Sequence, residues 1–190
     1  MRNNFGPKTF LYPMPVLIIG TYDEDGTPDA MNAAWGGIHD TNQIAICLGE
    51  DHKTVKNIMK THAFTVSMAD RDHVVGADYV GLVSANDVPD KFARAGFHAD
   101  KSEFVNAPLI RELPMALECE FVSYDENSGC MVGQIKNICA DESILGDDGL
   151  IDLEKFFPIT YDSVHHGYYT LGERVGSAYS DGKALIGDAK

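Results

Sequence analysis

The chain has 190 residues, of which 44% are hydrophobic and 23% are charged, a composition typical of a folded globular protein. Its 15 basic and 29 acidic side chains give a formal net charge of −14, and a charge of this sign repels nucleic-acid phosphates and anionic lipids. The composition therefore excludes a nucleic-acid-binding role. A phosphate-bearing ligand would need a local lysine, arginine or helix N-terminus.

The sequence predicts one domain over residues 1–190, because it contains no internal repeat, low-complexity linker or break in composition. No run approaches the roughly 18 apolar residues of a membrane span, and the start lacks the apolar core of a signal peptide. We therefore expect a cytoplasmic protein without a membrane partner. The cysteines form no C-x-x-C pair, so we expect neither a metal site nor a redox dithiol at Cys47, Cys119, Cys130 and Cys139.

A β-hairpin is the first predicted element. Residues 16–22 form a β-branched run that ends in the acidic turn 23–26, and residues 27–35 follow as the antiparallel partner. A glycine-rich bend then leads to a third strand over residues 43–48, in which apolar residues alternate. The chain therefore opens as an antiparallel sheet.

The segment 28–37 combines the only tryptophan, Trp35, with small residues that leave its backbone bare. Small residues inside a strand pack poorly and often mark the close approach of a ligand. This pattern would allow a flat ligand to lie against the peptide groups. The alternative is a cramped core strand in which the indole fills the space beside the missing side chains.

A helix is predicted from Lys53 onwards. Its apolar face carries Val55, Ile58, Met59 and His62 at helical spacing. Thr54 is the predicted N-cap, and the free N–H groups of such a helix start, with Lys53 beside them, favour a bound phosphate. The alternative is an ordinary capped helix with a solvated lysine.

Two short helices are predicted after a half-buried strand over residues 63–69. The first begins at Asp70, breaks at Gly81 and turns inward the side chains of Val74, Val75 and Tyr79. A loop over 84–87 separates it from the second helix, 89–96, which has proline at its first position and glycine just past its end. Lys91 and Arg94 form a positive cluster in this second helix, for which a solvated face is the default explanation.

The second half of the chain returns to β-structure. Alternating residues from 117 to 121 predict a strand, and the turn 125–129 joins it to a second strand over residues 131–140. A further strand is expected at Ile144 and Leu145. The tail holds an aromatic cluster, and its last stretch, from Ser180, is expected to be exposed. The aromatic residues are Phe156, Phe157, Tyr161, Tyr168, Tyr169 and Tyr179.

Many short strands with a few short helices predict a mainly β, closed or partly closed antiparallel barrel. Several motifs in order along most of the chain resemble the flavin reductase-like family of FMN-binding split barrels, and within it flavoredoxin-like proteins most of all. These motifs are residues 15–21, Asp25-Gly26, residues 32–35, Lys53-Thr54, Asn57-Ile58, residues 64–67, Ser84, residues 90–92, Gly96 and residues 171–176.

The resemblance implies a cofactor site. It implies that residues 32–35 line the isoalloxazine and that Lys53 and Thr54 hold the FMN phosphate. Lys91 and Asp90 would reach the flavin or its ribityl chain, with Lys91 raising the reduction potential. The implied cofactor-binding residues are Asn32, Ala33, Ala34, Trp35, Lys53, Thr54, Ser84, Asp90, Lys91, Phe92 and Tyr169.

The resemblance also implies a homodimer with each flavin near the interface, and it identifies no catalytic residue. The implied function is an oxidoreductase that moves electrons from NADH or NADPH through FMN to free flavin or a ferric chelate. The alternative is a flavoredoxin-type carrier that shuttles electrons between protein partners on tightly held FMN. A small-molecule barrel without redox chemistry is the least favoured hypothesis.

The adjacent histidines His165 and His166 point to opposite faces if they lie in a strand, so they do not chelate one metal ion easily. A role beside the flavin for one of them stays open, as does an ordinary surface position. Hydrolysis has little support, because the sequence has no G-x-S-x-G elbow. Neither a Walker loop nor a dinucleotide glycine motif follows a strand.

Overall fold

A seven-stranded antiparallel sheet forms the body of the computed structural model, which describes residues 1–186. The strands are β1 (Leu17–Tyr22), β2 (Pro28–Ala33), β3 (Gly36–Asp40), β4 (Gln43–Cys47), β5 (Ala63–Met68), β6 (Ala99–Lys101), β7 (Pro108–Ile110), β8 (Met115–Asp125), β9 (Cys130–Ala140), β10 (Ile159–Asp162) and β11 (Gly167–Thr170). The helices are α1 (Lys53–Thr61), α2 (Val74–Leu82) and α3 (Lys91–Arg94).

The strand order β2-β1-β5-β8-β9-β4-β3 makes the sheet curl. Its two edge strands, β2 and β3, follow each other in the chain with only Ala34 and Trp35 between them. The two edges therefore approach each other, and the sheet forms a half-barrel. A Cβ atom on Gly36 would lie 3.1 Å from the Ala45 carbonyl oxygen and 2.9 Å from the end of the Leu17 side chain, so glycine fits best where the edges meet.

Two large apolar clusters hold the molecule together, beside a small third one of Ala63, Val105 and Ala107. The first fills the inside of the curled sheet and contains the buried faces of β1, β4, β5, β8 and α1. The second lies on the outside of β1 and β2, where α2 and α3 cover the sheet. The hairpin of β10 and β11 contributes Ile159 to this second cluster, with Tyr161 and Tyr168 packed against it.

The two long strands, β8 and β9, confirm the predicted hairpin of the second half. Their turn contains Gly129 at φ 68°, where an added Cβ would also meet the Leu48 carbonyl oxygen at 2.8 Å. The tail from residue 180 to 186 is exposed, as predicted. The rest of that predicted stretch, 187–190, lies outside the described residues.

Some local predictions were wrong. Helix α1 begins at Lys53 and its N-cap is His52, which makes no side-chain cap bond. Thr54 is instead the second residue of the helix and is 1% exposed. Its hydroxyl is not available as a cap because it donates to the buried carboxylate of Asp29. Val75 points outward, since the other face of α2 already covers the sheet.

Other differences concern strands. The partner strand expected over 27–35 ends at Ala33, and the expected glycine-rich bend contains β3. A 3-10 turn over Glu142–Ile144 replaces the strand expected at Ile144 and Leu145, with Asp141 accepting from the Ser143 N–H at 2.8 Å. The short strands β6 and β7 were not predicted. None of the helices within residues 1–186 is long and apolar enough to cross a membrane.

Candidate functional site

A buried carboxylate, Asp29 on β2, connects several of the predicted site residues. It is 4% exposed, and its Oδ2 accepts a 2.9 Å hydrogen bond from the Thr54 hydroxyl of α1. The ammonium of Lys91, in α3, lies 3.4 Å from its Oδ1. Burying a carboxylate is costly unless it is paired, so Asp29 fixes α1 and α3 against the edge strand β2.

Lys91 is itself almost fully buried, at 3% exposure. Its ammonium donates to the carbonyl oxygens of Val80 and Val83, at 3.3 and 3.1 Å. These carbonyls belong to the end of α2, where helical carbonyls lack partners and the helix dipole favours a cation. Lys91 therefore links the end of α2 to Asp29 on β2. Its ammonium contacts protein groups and is almost fully removed from solvent.

The loop after α2 lies against the loop before α1. The Ser84 hydroxyl accepts from the Asn86 N–H, and the Asn86 side chain donates to the Asp51 carbonyl oxygen, both at 3.2 Å. Ser84 is thus brought close to the segment that leads into Lys53. Two loops that are more than 30 residues apart in the chain form one rim.

Lys53 forms an ion pair with Asp23, from the turn between β1 and β2. Both side chains are about a quarter exposed, at 25% and 27%. The Lys53 ammonium holds the pKa of Asp23 below its usual value. The first N–H groups of α1 have no partner within the helix. The start of α1 therefore combines unpaired N–H donors with the Lys53 ammonium, which is already paired with Asp23.

The end of β2 borders two hollows. Asn32 and Ala34 line a cavity of about 320 Å³, in which the Asn32 amide also donates to the Ala77 carbonyl oxygen at 2.9 Å. Ala34 and Trp35 line a second hollow of about 380 Å³, closed on its other side by the N-terminal segment 8–15. Ala33 faces the opposite way, into the sheet core.

Asp90, Phe92 and Tyr169 lie outside both the Asp29 network and these two hollows. Asp90 is exposed and pairs with Arg94 at 2.8 Å. Phe92 is buried in the second apolar cluster, where its ring packs edge-on against Phe97. Tyr169 is exposed on β11 and lines a third hollow.

The N-terminal segment is anchored to the β10–β11 hairpin. The Tyr12 hydroxyl donates to Asp162 at 2.5 Å, and the His165 imidazole lies 2.9 Å from the other carboxylate oxygen. The hydrogen bond from Tyr12 lowers the pKa of Asp162 well below its usual value. These contacts hold in place the segment 8–15, which lines the second hollow together with Trp35.

Asn32 of the first cavity was predicted as a site residue, and a role beside the flavin was left open for His165 or His166, but Asp78 and Tyr161 were not predicted as site residues. The Tyr168 hydroxyl donates to Asp78 at 2.7 Å. The pKa of Tyr168 is raised, mainly by burial and next by this hydrogen bond. Tyr161 and His166 form a second pair on the same cavity. The sequence does not indicate where these residues lie, because β10 and β11 pair with each other and not with the main sheet. Asp29 was detectable as a charged residue in an apolar strand, which requires a buried partner.

Comparison with known proteins agrees with this architecture. The structure of a flavoredoxin of Desulfovibrio vulgaris (Miyazaki F) is 38% identical, with 96% of this chain and 100% of that chain covered and a TM-score of 0.91. A flavoredoxin from Methanosarcina acetivorans is 27% identical over 97% and 99% of the two chains, with a TM-score of 0.87. The predicted antiparallel split barrel is confirmed.

A protein from Aeropyrum pernix is 27% identical, and the match covers 80% of this chain but 58% of that protein. The chain therefore spans less than two thirds of the length of this relative. The family model described as flavin reductase like domain matches residues 9–162. That match takes in the half-barrel, all three helices and the predicted site apart from Tyr169, and the chain belongs to the flavin reductase-like family.

Proposed function

We propose that this chain is an FMN-binding flavoprotein oxidoreductase. The observation that carries the proposal is the network around Asp29, which holds the open N-terminus of α1 and the bare end of β2 in one rigid unit. The first feature suits a phosphate, and the second suits a flat ring. The membership in the flavin reductase-like family supports the same cofactor.

The donor set at α1 fits the phosphate of FMN. The backbone N–H groups of Lys53, Thr54 and Val55 would bind it, with the Lys53 ammonium as a charged donor. Thr54 would contribute only its N–H, because its hydroxyl already donates to Asp29. Asp23 would compete with the phosphate for Lys53.

The isoalloxazine would lie against the backbone of Ala34 and Trp35 at the end of β2, beside Asn32. Gly36 supports this assignment, because a side chain there would clash with Leu17 and remove the bare edge. Lys91 would stabilise reduced flavin by its buried charge and would keep the loop of Ser84 in position. Phe92 would act by packing, and Ala33, Asp90 and Tyr169 remain proposed members of the site.

Bound FMN would supply two-electron chemistry, taking hydride from NADH or NADPH and passing electrons on. We favour free flavin or ferric chelates as acceptors. The second candidate is a carrier that moves electrons between protein partners, and the 38% identity to a flavoredoxin over nearly the whole chain favours it. We also propose that the protein is a homodimer, as its family membership suggests, and that it works in the cytoplasm.

The test is an absorption spectrum of the purified protein, followed by release and chromatography of its chromophore. We expect FMN, and a colourless protein that does not bind added FMN would contradict the proposal. NADH and NADPH oxidation is then measured with free flavin and with a ferric chelate. Rapid turnover identifies the reductase, whereas retained FMN with negligible turnover identifies the carrier.

A further inference from the structure

A hydrogen-bonded tyrosine and histidine line the cavity beside Ala34. The Tyr161 hydroxyl lies 2.8 Å from Nδ1 of His166. Tyr161 belongs to β10, and His166 belongs to the turn that leads into β11. His166 has φ 56°, a left-handed conformation that few residues other than glycine adopt. The hairpin thus holds an imidazole against a phenol, and both side chains line the cavity.

Three other polar residues of this cavity already have hydrogen-bond partners. Tyr168 donates to Asp78, and Asn32 donates to the Ala77 carbonyl oxygen. When His166 donates through Nδ1–H to the Tyr161 oxygen, the Tyr161 O–H is left to donate to a ligand. In that arrangement Tyr161 is the donor that a bound molecule would meet, and the exposed His166 beside it can pass on a proton from solvent.

The charge and size of the cavity define its ligand. Its volume of about 320 Å³ lies at the small end of the range for ligand pockets. Among the described residues that line it are the acidic Asp78 and no lysine or arginine, so an anionic ligand is disfavoured. The rings of Tyr161 and Tyr168, with centroids 5.9 Å apart, offer aromatic surfaces to a planar molecule. A small, neutral, flat hydrogen-bond acceptor fits these properties.

We propose that this cavity accepts a small neutral quinone and that Tyr161 and His166 deliver the proton that its reduction requires. This inference rests on the proposed function, because bound FMN in its reduced state would supply the hydride. As hydride reaches one carbonyl oxygen, the other oxygen becomes a phenolate and takes the Tyr161 proton. Tyr161 recovers a proton from Nδ1–H of His166 as Nε2 of the same ring takes a proton from solvent water, so that the imidazole stays neutral. The quinone gains two electrons and two hydrogens to become a hydroquinone, and the flavin is oxidised.

The experiment compares two acceptors on the FMN-loaded protein, reduced beforehand without oxygen. Tetramethyl-1,4-benzoquinone needs protons, and its full substitution prevents addition to the exposed thiol of Cys47. Ferricyanide takes electrons without protons. We expect Tyr161→Phe to slow quinone reduction about 100-fold, the scale of general acid catalysis, and to leave ferricyanide reduction unchanged. Equal slowing with both acceptors, or no slowing with the quinone, would overturn the proposal.

Matched histidine variants test the relay. We expect His166→Asn, which suits the left-handed backbone, to slow quinone reduction, whereas His165→Asn on the neighbouring residue should not. An equal effect of the two substitutions would contradict the assignment. His166→Asn also covers the case in which Tyr161→Phe does not fold.

A binding measurement separates this inference from the proposed function. Cyclohexanone, a carbonyl probe that does not undergo this reduction, is titrated while the ring signals of His166 are followed by NMR. We expect Tyr161→Phe to weaken its binding about fivefold, the value of one hydrogen bond. Absence of FMN from the wild type contradicts the proposed function. FMN lost only from Tyr161→Phe overturns the further inference, because the cavity would then hold the cofactor itself.

Discussion

At the scale of single residues, Lys53 and Lys91 carry the same charge in opposite circumstances. Lys91 is buried, and its ammonium donates to two carbonyl oxygens and pairs with Asp29. Lys53 is partly exposed at the start of a helix, with Asp23 as its partner. A bound anion would reach Lys53 by displacing Asp23, whereas Lys91 acts only through the structure around it. Their removal should therefore have different consequences.

Lys53→Ala should raise the Kd for FMN about tenfold or more, because a charge-assisted hydrogen bond contributes about 1.5–3 kcal/mol. Asp23→Asn should lower the Kd, since the carboxylate no longer competes for the ammonium. The measurement is fluorescence titration of flavin-free protein with FMN. Lys60→Ala is the matched control, because Lys60 lies on the same helix and pairs with Glu24 of the same turn. If Lys53→Ala and Lys60→Ala weaken FMN binding equally, Lys53 does not bind the phosphate.

At the scale of elements, the sequence predicted the strands and helices whose pattern is local. The alternation in β4 and β5, and the glycine just past α3 at φ 80°, identify their elements without tertiary information. The predicted cap at Thr54 was wrong for a physical reason, because a buried carboxylate from β2 takes its hydroxyl. Strand β3 was missed because Gly36 and Gly37 have low β-propensity, and pairing with β4 overrides it.

The candidate site was predictable only in part for the same reason. Lys53 and the segment 32–35 stand out in the sequence, and their surroundings follow from the curl of the sheet. The cavity pair Tyr161 and His166 depends on a separate hairpin that packs from a distant part of the chain. No periodicity indicates which side of such a hairpin meets Asn32. Contacts of this kind need the tertiary structure.

Lys91→Met should destabilise the fold by about 3–5 kcal/mol, because it leaves Asp29 charged and buried without a cation. The measurement is urea unfolding of the flavin-free protein, monitored by circular dichroism. Adding Asp29→Asn removes the uncompensated charge and keeps an acceptor for Thr54, so the double variant should be more stable than Lys91→Met alone. Lys136→Met, at an exposed pair with Glu120, should cost less than about 1 kcal/mol. Additive losses in the double variant would disprove the coupling.

At the scale of the whole molecule, apolar side chains remain on the surface after the core is complete. Val75 and Leu82 are 84% and 72% exposed on the outer face of α2, and their seven-residue spacing brings them to one side of the helix. Ile38, on the edge strand β3, is also largely exposed. Large apolar side chains exposed together on one helix face are typical of interaction sites. The proposed homodimer would cover the outer face of α2.

Val75→Lys should convert the proposed dimer to a monomer, because pairing would bury an ammonium without a partner. The molar mass is measured by light scattering after gel filtration at several protein concentrations. Val175→Lys is the matched control, since Val175 is also highly exposed, at 96%, but lies in the C-terminal segment outside the sheet. A wild type that is monomeric at every concentration would contradict the homodimer itself. If the Val75→Lys protein stays dimeric, the dimer interface does not include the outer face of α2. FMN content in the monomeric variant then decides whether the flavin depends on the partner, because a cofactor bound at the interface would be lost together with the dimer.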